Sequence, residues 1–325
     1  MTAHLRRRSV AALATAALLA LGACSSSAEI ESEAAADDAG SASDAITVDT
    51  SPDQDRIHST VSDEAVALLP AGAFPDGVLR VSVTQGAVPL AFYADDNTTV
   101  IGSETDLATL FADALGLDVE FVVNDWSNWP LSVQSGDVDA VISNVTVTEE
   151  RKQLYDFATY RVDELGWLVG ADSGLEISDA ADIAGLTVGV GSGTNQEQIL
   201  LAWNQQNVDA GLEPATIDYY ETYTDALLAV QSGRLDAYVG PNPTAAYSAA
   251  TAPQDYAIAG TTSGGWPDTA DIAVTTVKGN GYAQAFEAAI DHVISDGTYA
   301  EVLDRWGLSA EAVDSSQLNP PGLGG

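Results

Sequence analysis

The chain has 325 residues, with 11 lysines and arginines against 48 aspartates and glutamates, a formal charge of −37. A field of that sign disfavours nucleic acid and anionic membrane surfaces as partners, and it reads as a solvated, solubilising surface. The length allows two domains of ordinary size, and the single cysteine, Cys24, forbids a disulfide within the chain, so stability has to come from the core.

Arg6, Arg7 and Arg8 precede an apolar run, Val10 to Leu21, too short to span a membrane comfortably, and Leu21-Gly-Ala-Cys24 follows. This resembles a bacterial lipoprotein signal peptide with its lipobox. The resemblance implies removal of residues 1–23, diacylation of Cys24, and an extracytoplasmic chain held to the cell membrane by that lipid alone. Residues 24–74 are rich in Ser, Ala and acidic side chains, with Glu29, Glu31, Glu33, Asp37, Asp38 and Asp44 in quick succession. Such a segment predicts a flexible acidic tether, with a short helix near Asp63 to Leu69.

Order is expected from Pro75. Gly77 to Val83 alternates as a strand, and a hairpin-like loop runs to Val100-Ile-Gly102. Ser103 opens a helix through Leu107, Leu110, Phe111 and Leu115 that Gly116 closes. Leu117 to Val123 is a second strand; Asp125 to Pro130 leads into a helix ending at Ser135-Gly136; Val138 to Ile142 is a third, buried strand. That rhythm is the rhythm of a mainly parallel α/β sheet.

The next stretch, Ser143-Asn-Val-Thr-Val-Thr-Glu-Glu-Arg151, is a strand-to-helix turn. Thr148 is a suitable N-cap, and Glu149 and Glu150 complement the positive end of a helix continuing through Arg151. Main-chain N–H groups, the hydroxyls of Ser143, Thr146 and Thr148, and the two-pronged guanidinium of Arg151 together make a socket for a small carboxylate. The same residues also suit an ordinary capped helix with a solvated arginine.

The chain then repeats itself. Leu131-Ser-Val-Gln-Ser-Gly-Asp-Val-Asp-Ala-Val141 returns as Leu228-Ala-Val-Gln-Ser-Gly-Arg-Leu-Asp-Ala-Tyr238, which predicts two similar lobes. After Leu165 to Val169, the second begins with the strand Leu186 to Val190 and the turn Gly191 to Glu197. In that turn Thr194 and Glu197 have capping-box spacing, so the first-turn N–H groups of Asn195 and Gln196 would face solvent. It lacks a Walker lysine and the dinucleotide spacing. A strand Ala237 to Gly240, the turn Pro241-Asn-Pro243, a helix through Tyr247, a strand Asp271 to Thr275 and helices Ala283 to Ser295 and Tyr299 to Trp306 follow; residues after Pro320 are expected to fray.

These residues carry a family likeness. Leu79-Arg-Val, Asp106-Leu-Ala, Asp125-Trp126, Gln134-Ser-Gly-Asp-Val-Asp-Ala-Val-Ile-Ser143, Thr146-Val-Thr-Glu-Glu-Arg151, Asp156-Phe157, Leu186-Thr-Val-Gly-Val190, Gly193-Thr194, Gly233-Arg-Leu-Asp-Ala237 and Asp296-Gly-Thr-Tyr299 resemble the family 3 solute-binding proteins over residues 75–310. The resemblance implies a two-lobed type II periplasmic-binding-protein fold: residues 75–165 and 272–318 in the first lobe, 166–271 in the second, two crossover segments, and 319–325 as a tail. It implies a monomeric receptor that delivers a small carboxylate-bearing solute to the permease subunits of an ABC importer. Carried over by position, Arg151 grips the ligand α-carboxylate and Thr146 adds a main-chain N–H. Asn144 lies at the ligand amine and carbonyl, Asn195 faces the carboxylate from the second lobe, and Trp126 lies near the ligand side chain.

Two positions depart from the family pattern. The Asp that usually meets the ligand ammonium is replaced by Pro241, with Asn242 next, and Asp268 or Asp271 are the carboxylates that would have to stand in. The aromatic lid after the first strand falls at Ala87 or Val88, with Phe92 the nearest substitute. An enzyme on the same scaffold is the competing reading, since cyclohexadienyl dehydratases resemble these receptors. Against it, His4 lies in the leader, His58 in the tether and His292 on a terminal helix. There is no Cys/His pair, metal-ligand spacing or nucleophile elbow, so neither a cofactor nor a metal is expected.

Overall fold

The computed structural model describes residues 48–324; the leader, Cys24 and the first part of the expected tether lie outside the described residues. The first elements are α1 (Asp63–Leu68), β1 (Val78–Val83), β2 (Phe92–Tyr93), β3 (Val100–Ile101), α2 (Ser103–Leu115), β4 (Asp118–Val123), α3 (Trp129–Ser135), β5 (Ala140–Val141), β6 (Tyr155–Val162) and β7 (Glu164–Gly170). There follow β8 (Thr187–Val190), α4 (Asn195–Ala210), β9 (Thr216–Tyr219), α5 (Tyr223–Gln231), β10 (Ala237–Pro241), α6 (Asn242–Thr251), β11 (Tyr256–Ser263), β12 (Asp271–Val277), α7 (Tyr282–Asp296) and α8 (Thr298–Arg305).

Two five-stranded sheets result, in the orders β4-β1-β5-β12-β6 and β11-β7-β10-β8-β9. In the first, β1 is parallel to β4 and β5 while β12 runs antiparallel to β5 and β6. In the second, β8 is parallel to β9 and β10 while β7 runs antiparallel to β10 and β11. The repeat explains the likeness: α3 and α5 end at Gly136 and Gly233, whose positive φ of 78° and 70° suits glycine, and the short strands that follow pair with β1 and β8. The first lobe packs α2, α7 and α8 around Leu79, Val81, Phe111 and Trp306; the second closes on Trp167, Trp203 and Leu200.

The crossovers lie side by side. The chain leaves the first sheet at Val162 and enters the second at Glu164, with Asp163 alone between them, and it returns between Ser263 and Asp271. Asp163 N donates to Ala270 O and Gly264 N donates to Asp163 O, both at 2.9 Å. The hinge is therefore a paired double strand fixed at its centre by the main chain of Asp163.

Four expectations change. The tether reading fails from residue 48 on: Val48, Ile57 and Leu69 pack on the first-lobe core, Ala65 of α1 is fully buried, and Ser62 N donates to Ala114 O at 2.8 Å. Arg56 supplies the charge this segment needs, pairing with the fully buried Asp106 and donating to Val100 O at 3.2 Å. The tail after Pro320 is not frayed either. Thr159 N donates to Gln317 O, Asn319 N to Phe157 O and Leu323 N to Val147 O, so residues 317–323 cover the otherwise open edge of β6. Finally, the Val138 to Ile142 strand shrinks to the two residues of β5, and the helix expected after Thr148 is a single 3-10 turn, Arg151–Gln153.

Candidate functional site

The loop between β5 and the 3-10 turn is fixed at both ends. Ser143 Oγ accepts from Thr84 N at 2.8 Å, Val147 N donates to Asp271 O at 2.9 Å, and Thr148 caps the turn by accepting from Arg151 N at 3.1 Å. Asn144 takes a left-handed φ of 53°, which asparagine tolerates better than most side chains. Arg151 then folds back over its own loop, donating from Nη1 to Thr146 O at 2.8 Å and from Nη2 across to Gly193 O of the second lobe at 3.1 Å. Its guanidinium lies over the rings of Trp126 and Trp129, 5.5 and 5.8 Å from their centroids. Burial pushes its pKa down to about 10, so it remains a cation at neutral pH.

In the second lobe Thr194 caps α4 by accepting from Glu197 N at 3.1 Å, as the spacing predicts, but Asn195 and Gln196 are buried instead of facing solvent. The reason is a hydrogen bond the sequence did not advertise: Asn195 Nδ2 donates to Asp163 Oδ2 at 2.8 Å and to Gly264 O at 2.9 Å. The same Oδ2 accepts from Thr146 Oγ1 at 2.7 Å. Asp163, 1% exposed, thus joins the two turns, and burial pushes its pKa up to about 6. Among the described residues, the main-chain N–H groups of Thr146 and Asn195 donate to no protein acceptor.

Beside this seam lies a buried charge cluster. Arg161 pairs with Glu311 and with Glu104, the latter at 3.1 Å, and donates to Asn144 Oδ1; Tyr160 Oη donates to Glu104. Burial alone would lower the pKa of Arg161, but Glu311 and Glu104 hold it above its ordinary value; burial raises that of Glu311. Asn242, at the start of α6, lies 3.5 Å from Glu164 Oε2 and lowers the pKa of Glu311 as a hydrogen-bond donor.

Of the residues singled out in the sequence, Arg151, Thr146, Asn195 and Trp126 come together at the seam, and Asn144 and Asn242 meet the charge cluster. Phe92 does not join them: it is buried in the first-lobe core, edge-on to Trp306 at 6.0 Å, so its ring has no free face for a lid. Asp268 is exposed, and Asp271 is half-buried with its carbonyl committed to Val147; the carboxylates beside Asn144 and Asn242 are instead Glu104, Glu311 and Glu164. Asp163 was missed, although Arg161, Asp163 and Glu164 interrupting the apolar run from Tyr155 to Gly170 were a visible sign. Among the described residues no three His, Cys, Asp or Glu side chains gather as metal ligands, and no helix is long and apolar enough to cross a membrane.

A family model for the bacterial extracellular solute-binding proteins, family 3, matches residues 79–309. The chain is 28% identical over 263 residues to the arginine-binding protein ArgT of Corynebacterium glutamicum, covering 79% of this chain and 83% of that one. It is 30% identical over 233 residues to the L-cystine-binding protein TcyJ of Escherichia coli (strain K12), covering 71% and 82%. Among solved structures, an ancestral arginine-binding protein bound to arginine matches with a TM-score of 0.62 at 29% identity, over 71% of this chain and 98% of that one. The ancestral amino acid-binding protein AncCDT-1, a precursor of cyclohexadienyl dehydratase, matches with a TM-score of 0.62 at 28% identity, over 71% and 96%.

Proposed function

We propose that this chain, which belongs to the bacterial extracellular solute-binding proteins, family 3, and has their two-lobed type II periplasmic-binding-protein fold, captures an amino acid or a similar small carboxylate between its lobes. Delivered to the permease subunits of an ABC importer, the solute would be taken up; diacylated Cys24 would keep the receptor at the membrane. The observation that carries this reading is Arg151, set against Trp126 and Trp129 and reaching from the first lobe to Gly193 of the second. Two of its five N–H donors engage main-chain oxygens, which leaves it able to grip a carboxylate as well. The free N–H groups of Thr146 and Asn195 complete the anion seat.

Where the family pattern has an Asp for the ligand ammonium, this chain has Pro241. Asn242 supplies a neutral acceptor there and Glu164 the charge that Asp268 and Asp271 do not, since Asn144 Oδ1 and Glu311 are already taken by Arg161. The matches to arginine- and cystine-binding proteins support an amino acid as the ligand. A second reading, a lyase resembling cyclohexadienyl dehydratase, is favoured by the match to AncCDT-1. Thermal-shift screening of the twenty amino acids, cystine and their des-amino analogues, followed by calorimetry, tests the receptor. Saturable binding without consumption of the compound is expected; turnover of a bound compound, or no stabilisation by any carboxylate, would overturn it.

A further inference from the structure

We infer that Asp163 is the positioning residue of the interlobe site, the shared acceptor that brings the anion-binding turn of each lobe into register; this rests on reading those turns as the ligand seat. One oxygen, Oδ2, takes the Thr146 hydroxyl from the first lobe at 2.7 Å and the Asn195 amide from the second at 2.8 Å. Both side chains are thereby withdrawn from the ligand, and each turn offers its main-chain N–H instead. The two turns belong to different sheets; Arg151 also spans them by donating to Gly193 O, but among the described residues the Asp163 carboxylate is the side-chain acceptor that takes a donor from each turn, so it fixes their register.

That carboxylate is itself fixed by the hinge. Its main chain pairs with both strands of the second crossover, through Ala270 O and Gly264 N. A Cβ on Gly264 would come within 1.9 Å of Oδ2, so this glycine is the space into which the Asp163 side chain fits. A shorter or undirected polar residue at 163 would leave Thr146 and Asn195 with unpaired buried groups and no common reference. The crossover therefore does more than connect the lobes: its one central side chain sets where they meet.

The test uses spin labels at Leu131→Cys and Leu228→Cys, exposed positions on α3 and α5 of opposite lobes, in the full chain carrying Cys24→Ser. Pulsed electron resonance on the parent should give a single narrow distance population, broadened or shifted in Asp163→Ala and in Asn195→Ala. The double variant should lose nothing further, because both changes break the same link. Asp163→Asn, whose amide oxygen still accepts, should restore the narrow population, an effect that mere filling of space would not produce. If Asp163→Ala fails to fold, Thr146→Val and Asn195→Ala test the same link from either side. A broad parent distribution, an unchanged one in folded Asp163→Ala, or additive effects in the double variant would overturn the inference. Titration with L-arginine separates the two readings. A distance change in Asp163→Ala when neither L-arginine nor any carboxylate of the thermal-shift panel binds the parent leaves Asp163 in place and removes the receptor reading, whereas parent affinity for L-arginine in Asp163→Ala removes Asp163.

Discussion

Arg151 of the first lobe donates to the carbonyl oxygen of Gly193 in the second across 3.1 Å, while its Nη1 holds Thr146 O at 2.8 Å. A guanidinium between two main-chain oxygens, over two tryptophan rings, costs less to bury than a free one because its donors are partly satisfied. It remains charged, and it meets both lobes at once.

Arg151→Ala should therefore weaken binding of the amino acid that calorimetry identifies by about 3–5 kcal/mol, since a desolvated carboxylate loses its principal partner. At about 1.4 kcal/mol per decade this is roughly two to three and a half orders of magnitude in Kd. Arg151→Lys should recover part of the loss, because a lysine cannot reach two oxygens with a planar fork. Affinity within a few-fold of the parent in Arg151→Ala would place the anion seat elsewhere.

Arg56→Ala should destabilise the first lobe without touching the seam. Asp106 is fully buried, accepting from Arg56 and from Trp306 Nε1 at 2.8 Å, with Arg305 farther off at 3.6 Å. Removing the nearest cation strands a buried carboxylate at a cost of about 3–5 kcal/mol. For a body of this size that corresponds to a fall in Tm of about 10 °C in a thermal melt. An unchanged melt would mean that residues 48–62 do not hold the lobe in solution.

Deleting residues 317–325 should expose the edge of β6. The tail's pairs with Phe157, Thr159, Val147 and Glu149 contribute about 1 kcal/mol each, and an uncovered edge strand is a template for association. A lower melting midpoint together with concentration-dependent light scattering is expected. Retention of both the parent midpoint and the parent's scattering would assign the tail no role.

The parts of this molecule legible in the sequence are those where local chemistry decides. Gly116 and Gly136 stop α2 and α3 in the left-handed conformation, and Thr194 caps α4 where its spacing to Glu197 predicts. The parts that were not legible depend on partners far along the chain. The acidic composition before residue 75 hid Arg56, whose partner Asp106 lies on α2, and the polar end of the chain hid its pairing with β6. Phe92 looked available until Trp306 was placed against it. Asp163 was the costliest omission, because a carboxylate inside a buried strand run acquires meaning only when Thr146 and Asn195 converge on it from opposite lobes.

The pH dependence of stability should carry the mark of Asp163. Its pKa rises on folding from about 3.8 to about 6, chiefly through burial, with the Thr146 hydrogen bond, Arg161 and the Asn195 hydrogen bond favouring the anion and Glu311 opposing it. A carboxyl whose pKa is raised in the folded state stabilises that state most below its unfolded value, near pH 4, and the advantage is lost as pH climbs through 6. Above pH 6 the group should cost the folded protein about 3 kcal/mol, a cost that builds up between those limits at roughly 1.4 kcal/mol per pH unit. Asp163→Asn, neutral throughout, removes this dependence while keeping an acceptor for Thr146 and Asn195. Urea denaturation of the two proteins from pH 4.5 to 7.5 is the measurement: the difference in stability should favour the asparagine variant at pH 7.5 and shrink towards pH 4.5. A difference that stays constant across that range would mean that Asp163 titrates outside it.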